Sequence, residues 1–125
     1  MIDIVLVIEF HEVLINEFGG IQGLRDHKSL ESALVRPFMT FNNKDLYPSP
    51  IEKAAALIES IISNHPFLDG NKRIGYVLLE EFLLRNNIEI VASQSEKYDF
   101  VLKIAQGQSS YDNICSWLLK NSKKK

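Results

Sequence analysis

Nine consecutive residues, His65-Pro66-Phe67-Leu68-Asp69-Gly70-Asn71-Lys72-Arg73, place an imidazole, a carboxylate, a glycine and two cations in one short stretch. The stretch leads directly into an apolar-periodic segment. It therefore feeds a helix N-terminus, where unpaired N–H groups and the helix dipole attract anions. Gly70 permits close approach of backbone to a ligand, and successive N–H groups there suit a phosphate-binding nest. Lys72 and Arg73 are misplaced for an isolated helix, because cations at its positive end cost stability until an anion is bound. Asp69 offers an oxygen to Mg²⁺, an ion that takes one or two carboxylates together with substrate phosphates. His65 is of the side-chain type best suited to taking a proton from an attacking hydroxyl. A plainer account also fits these residues: Asp69-Gly70-Asn71 makes a sufficient turn, the charges are solvated, and His65 bonds a backbone carbonyl. Neither glycine-rich phosphate pattern, G-x-x-x-x-G-K-[ST] or G-x-G-x-x-G, is present to decide between the two.

Two helices must hold this loop. Before it, Ser49 is a cap, Pro50 suits the first helical position, and Glu52 completes a capping box. Ile51, Ala54, Ala55, Ile58, Ile61 and Ile62 then form an apolar stripe, with Glu52, Lys53, Glu59 and Ser63 on the polar side. After it, a helix is predicted over Asn71 to Arg85. Ile74, Val77, Leu78, Leu79, Phe82, Leu83 and Leu84 cover most of its circumference, which predicts a central position.

The remaining elements are shorter. Val7, Phe10, Leu14 and Phe18 have helical spacing within 4–18, although Ile2 to Ile8 would equally suit a strand, and Gly19-Gly20 stops the segment. A short helix is predicted over 29–36, ended by Pro37. Asn86-Asn87 breaks the pattern before a short extended piece at Ile88 to Val91. Helices near 95–106, opened by Ser93 with Glu96, and near 110–120, with Ile114, Trp117 and Leu118 as core, complete the chain. The expected architecture is an all-α bundle of five or six helices with at most a minor β element.

Composition sets the outer bounds. The chain has 125 residues, 46% hydrophobic and 24% charged, with no repeat or linker, which predicts a single domain over 1–125. A net charge of −2 argues against direct nucleic-acid binding, and with it against an RNA-cleaving activity. The apolar runs are far shorter than the about 20 residues a bilayer span takes, and the start has no signal-peptide pattern, so a cytoplasmic protein without membrane contact is expected. Cys115, the one cysteine, precludes a disulfide and reads as a buried small hydrophobe. Ser122-Lys123-Lys124-Lys125 reads as a flexible, solvated basic tail.

The run from His65 to Arg73 resembles the signature of the Fic/Doc family. Fic members read H-P-F-x-[D/E]-G-N-G-R-x-x-R, and Doc members have N-K-R in place of N-G-R. Here Lys72 replaces the second glycine and Tyr76 the final arginine, so the resemblance is to Doc, the death-on-curing toxin type. His11, Gly19-Gly20, Gly23, Arg25-Asp26 and Leu30 to Leu34 are similar to the opening of Doc-like domains. The resemblance implies His65 as catalytic base, Asp69 as the Mg²⁺ ligand, and Gly70, Asn71, Lys72 and Arg73 as the phosphate-binding cradle, with Phe67 anchoring the loop. It implies Mg-dependent transfer of the terminal phosphate of ATP to a Ser or Thr hydroxyl, with translation elongation factor Tu as the associated target. Fic-type AMP transfer, or a non-catalytic Doc-like module that only binds a partner, are the alternatives. The inhibitory pattern (S/T)-x-x-x-E-(G/N) of many Fic proteins does not occur in the chain, which implies an antitoxin bound in trans in an apolar groove.

Three further side chains have structural expectations. His11 reads as a core or interhelix hydrogen-bonding histidine, otherwise as a cleft-facing residue shared with Doc-like chains, and His27 as part of a turn or helix start. Arg25-Asp26 reads as a structural pair or cap, otherwise as part of a flap.

Overall fold

The computed structural model describes residues 1–125. Its helices are α1 (Ile4–Phe18), α2 (His27–Val35), α3 (Pro50–Asn64), α4 (Asn71–Arg85), α5 (Gln94–Ala105) and α6 (Tyr111–Lys120). A single 3₁₀ turn, Arg36–Phe38, follows α2, with Pro37 inside it. Four short strands make two antiparallel pairs: β1 (Thr40–Phe41) with β2 (Lys44–Asp45), and β3 (Ile88–Ile90) with β4 (Ser122–Lys124). The protein is thus all-α apart from these pairs, as expected.

Five of the six helices begin with a side-chain cap. Asp3, Asp26, Ser49, Ser93 and Ser110 each accept a backbone N–H of the first turn, and Ser49–Glu52 and Ser93–Glu96 are full capping boxes. Such caps contribute about 1 kcal/mol apiece. α4 begins without one.

The core is organised by α3. One side of it (Ile51, Ala54, Ala55, Ile58, Ile62) packs with Leu79, Leu83, Phe100, Ile104, Ile114 and Leu118. Its other side (Leu57, Ile61) packs with Val7, Leu14, Leu30, Leu34, Phe67, Ile74 and Leu78. α3 is therefore buried more fully than an amphipathic stripe predicts, with Ala56, Leu57 and Ser60 also inside. The run Ala54-Ala55-Ala56 adds little bulk, which lets neighbours close in around it. α4 crosses at close range: a Cβ on Gly75 would lie 3.3 Å from Ile61 and 3.4 Å from Ile62. The polar groups of α3 are anchored rather than free, since Arg36 pairs with Glu59 at 2.8 Å and donates to Ser60 Oγ at 2.9 Å. Cys115 is half-buried, and burial pushes its thiol up, in keeping with a packing role.

One element was not predicted and one expectation needs correction. The stretch between α2 and α3 holds a hairpin that periodicity did not predict. Asn42 and Asn43 both take positive φ (52° and 62°), the geometry of a two-residue primed turn. The C-terminal lysines are also not a frayed tail. Ser122, Lys123 and Lys124 pair with Ile90, Glu89 and Ile88, and Lys125 N–H donates to Asn87 C=O at 2.8 Å. No helix is long and apolar enough to cross a membrane.

Truncation after Asn121 should therefore destabilise the fold by about 1–2 kcal/mol, the net worth of a few exposed ladder bonds. Urea unfolding of the truncated and full chains measures this; equal midpoints would contradict the pairing.

Candidate active site

Six residues, His65 to Gly70, connect α3 to α4, and both ends of the connection have left-handed backbone. His65 closes α3 at φ 49°, ψ 56°, and Gly70 opens α4 at φ 76°, ψ 14°. A glycine takes that geometry freely; a histidine takes it only where its surroundings hold it. Arg25 does this for His65. Its Nε donates to the His65 carbonyl at 2.6 Å and its second amino group to the Asn64 carbonyl at 2.7 Å. The guanidinium fork so satisfies carbonyls that the end of α3 would leave unpaired. Arg25 is thus a helix cap, but for α3 and not in a pair with Asp26, which caps α2 and is held below the usual carboxylate range by the Ser29 hydroxyl and amide.

The segment before α2 clasps the loop along its length. Pro66 C=O accepts from Arg25 N–H and Asp26 N–H, Leu68 N–H donates to Gly23 C=O at 3.0 Å, and Leu24 bridges Phe67. The approach is tight. A Cβ on Gly20 would meet Asp69 Oδ2 at 2.8 Å, and one on Gly23 would meet Leu68 at 2.9 Å. From inside, Phe67 is buried in the core and the Asn71 side chain pairs with both backbone groups of Phe67, accepting its N–H at 3.0 Å and donating to its C=O at 2.9 Å.

The functional side chains follow from this frame. His65 is exposed, with Nδ1 3.5 Å from the Asn71 amide, at the outer limit of a hydrogen bond; no short bond restrains the ring. Asp69 Oδ2 accepts from Ile21 N–H at 3.1 Å and Oδ1 from Gly70 N–H at 2.8 Å. These bonds, first that from Ile21, hold its carboxyl below the usual range, with the positive charge of Arg73 adding to them. Each oxygen keeps a lone pair, so Asp69 fits a Mg²⁺ ion as one ligand, the rest of the shell falling to substrate phosphates and water. No protein acceptor reaches the N–H groups of Asn71, Lys72 or Arg73. Lys72 and Arg73 are exposed and unpaired with any carboxylate, and the Arg73 guanidinium lies 4.6 Å over the Phe18 ring.

All six residues singled out by pattern line one cleft of about 1290 Å³. Its opposite wall is α5, with Lys97, Tyr98, Val101 and Leu102. Three cations (Lys72, Arg73, Lys97) and one carboxylate (Asp69) face the space, so it suits an anionic ligand. The cleft floor includes Tyr76, whose hydroxyl donates to Glu80 at 2.8 Å and is pushed well up, first by burial and then by that bond. Residues that pattern reading left as structural matter here too. His11 stacks on Phe67 and bonds the Asp69 carbonyl, and Arg25 holds His65. The wall from α5 gave no signal at all in sequence. His27 stays outside, exposed beside Glu31 at 3.7 Å.

Known proteins resemble this chain at these residues. A family model described as Fic/DOC family matches residues 1–83, which include the whole loop. A protein of Mycolicibacterium smegmatis, "Toxin Doc", is 34% identical over 103 residues, covering 81% of this chain and 79% of its own.

The Asp69 tether has a pH signature. Its carboxyl sits lower in the folded chain than in the unfolded one, so its contribution is complete above about 3.8 and disappears as pH falls through the lower folded value. The amide resonances of Ile21 and Gly70 should titrate together with a midpoint below 3.8. A midpoint above that value, or independent behaviour of the two amides, would contradict the tether.

Proposed function

The chain belongs to the Fic/Doc family, and from that premise we propose that it is a Doc-like toxin which transfers the terminal phosphate of ATP to a Ser or Thr hydroxyl of a target protein. The expected target is a translation elongation factor. One observation carries the reading: α4, alone among the helices, starts uncapped, and its free N–H groups share a cleft with Lys72, Arg73, Asp69 and His65. An N-terminus of that kind is an anion site with its counter-charges already in place.

Each residue then has a distinct task. His65 takes the proton of the attacking hydroxyl, whose oxygen forms the new bond to phosphorus while the bond to the ADP leaving group breaks. Asn71, Lys72 and Arg73 receive the phosphate oxygens through their backbone N–H groups and the two cations, and Gly70 makes the turn that lets those oxygens approach. Asp69 would hold Mg²⁺, which supplies neutralisation of phosphate charge when bound. Little covalent work falls to the protein in such a transfer; positioning and charge do most of it. Lys72 stands where Fic-type proteins have glycine, and its side chain fills space that a longer phosphate run in the Fic orientation would need. This favours terminal-phosphate transfer over AMP transfer.

Regulation by a separate antitoxin chain is part of the same proposal. Phe18, Ile21 and Leu68 are each more than half exposed beside the loop, an apolar margin that a partner segment can cover.

ATP labelled on either the terminal or the alpha phosphate tests the reaction. Label should reach protein from the terminal position. Arrival from the alpha position alone would replace the kinase reading with AMP transfer. His65→Ala should lose about 10²–10⁴ of the rate, the usual share of a general base. If it also keeps antitoxin binding, the loss lies in chemistry and not in folding.

A further inference from the structure

We propose that His11 is the positioning residue that sets the peptide unit between Asp69 and Gly70, and through it the anion-binding start of α4. The inference rests on the phosphoryl-transfer reading of the loop. His11 lies on α1, 2% exposed. Its ring stacks on Phe67 with centroids 3.7 Å apart and planes 8° from parallel. Its Nε2 lies 2.7 Å from the Asp69 carbonyl oxygen. A carbonyl has no proton to give, so Nε2 carries the hydrogen and His11 is the donor. No backbone N–H donates to that carbonyl.

The other edge of the same peptide is held as well, since Gly70 N–H donates to Asp69 Oδ1 at 2.8 Å. The plane is thus fixed from two sides, its carbonyl turned toward a buried side chain. Rotation of this unit would change the φ of 76° at Gly70, from which the free N–H groups of Asn71, Lys72 and Arg73 follow in helical register. It would also release a carbonyl oxygen into a site meant for phosphate oxygens, and one misdirected carbonyl is enough to spoil an anion hole. The fit is close: a Cβ on Gly70 would meet Ile15 Cδ1 at 2.9 Å and His11 Nε2 at 3.4 Å. The stack on Phe67 orients the ring, and the hydrogen bond holds the peptide.

Two substitutions separate these tasks. His11→Phe keeps an aromatic ring against Phe67 but has no donor. His11→Gln keeps a donor but has no ring. A positioning role predicts opposite orders for activity and stability. His11→Phe should melt close to wild type yet lose about tenfold to a hundredfold in kcat, with the KM for the protein target unchanged. Its affinity for inorganic tripolyphosphate, read by calorimetry, should fall about tenfold. His11→Gln should melt lower yet recover most of kcat and of tripolyphosphate affinity. Wild-type kcat and affinity in His11→Phe, or activities that simply follow melting temperature, would overturn the proposal. Nitrogen-15 spectra of the wild-type chain give a readout free of variants: the Nε2–H tautomer is expected, and Nδ1–H would refute it. A wild-type chain that transfers no label would sink the transfer reading alone, because the tautomer and the tripolyphosphate affinities are measured without turnover.

Discussion

The rest of the structure depends on how the chain gets from α3 to α4. The two helices pack at the distance Gly75 allows, and six residues must join them while presenting reactive side chains outward. Six residues cannot do this with relaxed backbone alone. The connection starts with a histidine in left-handed geometry and ends with a glycine in the same geometry. Nearly every distinctive contact in the amino-terminal third serves to hold that path: Arg25 on the carbonyls of Asn64 and His65, Gly23 on Leu68, Ile21 on Asp69, and His11 on the next peptide. Asn71 closes it from within.

This division explains an apparent waste. Lys72 and Arg73 stand at the wrong end of a helix dipole, and α4 forgoes the cap that the other five helices have. A cap on α4 would stabilise the fold and fill the site. The unpaired N–H groups and adjacent cations are tolerated because burial elsewhere, above all around α3, anchors both helices. The net charge of −2 is thus compatible with a locally cationic cleft.

What was legible in the sequence was local. Ser49-Pro50 with Glu52 and Ser93 with Glu96 signal helix starts through contacts three residues apart, and the structure has both. The His65–Arg73 run was legible because its chemistry is dense and its spacing matches a known signature. Apart from one short hairpin, the illegible parts depend on distant partners. Asn42-Asn43 carries a hairpin signal, but only a two-residue strand on each side, too short for periodicity to register. The terminal lysines look solvated by composition; their partner strand lies more than thirty residues back. His11 and Arg25 read in sequence as a hydrogen-bonding helix histidine and a pair or cap, with no partner named. Their meaning lies in carbonyls 58 and 40 residues away, which no window along the chain contains.

That separation ties the loop to the folding of the whole chain. Its long-range hydrogen bonds join residues 11 to 26 to residues 64 to 69. A fragment lacking either group lacks the bonds that hold the left-handed turn at His65. The loop geometry therefore depends on contacts that only the assembled fold provides. A lesion on the far side of α1 would act on the loop without approaching the cleft. The shape of the loop is a property of the completed fold, held by groups that meet only when both ends of the path are in place.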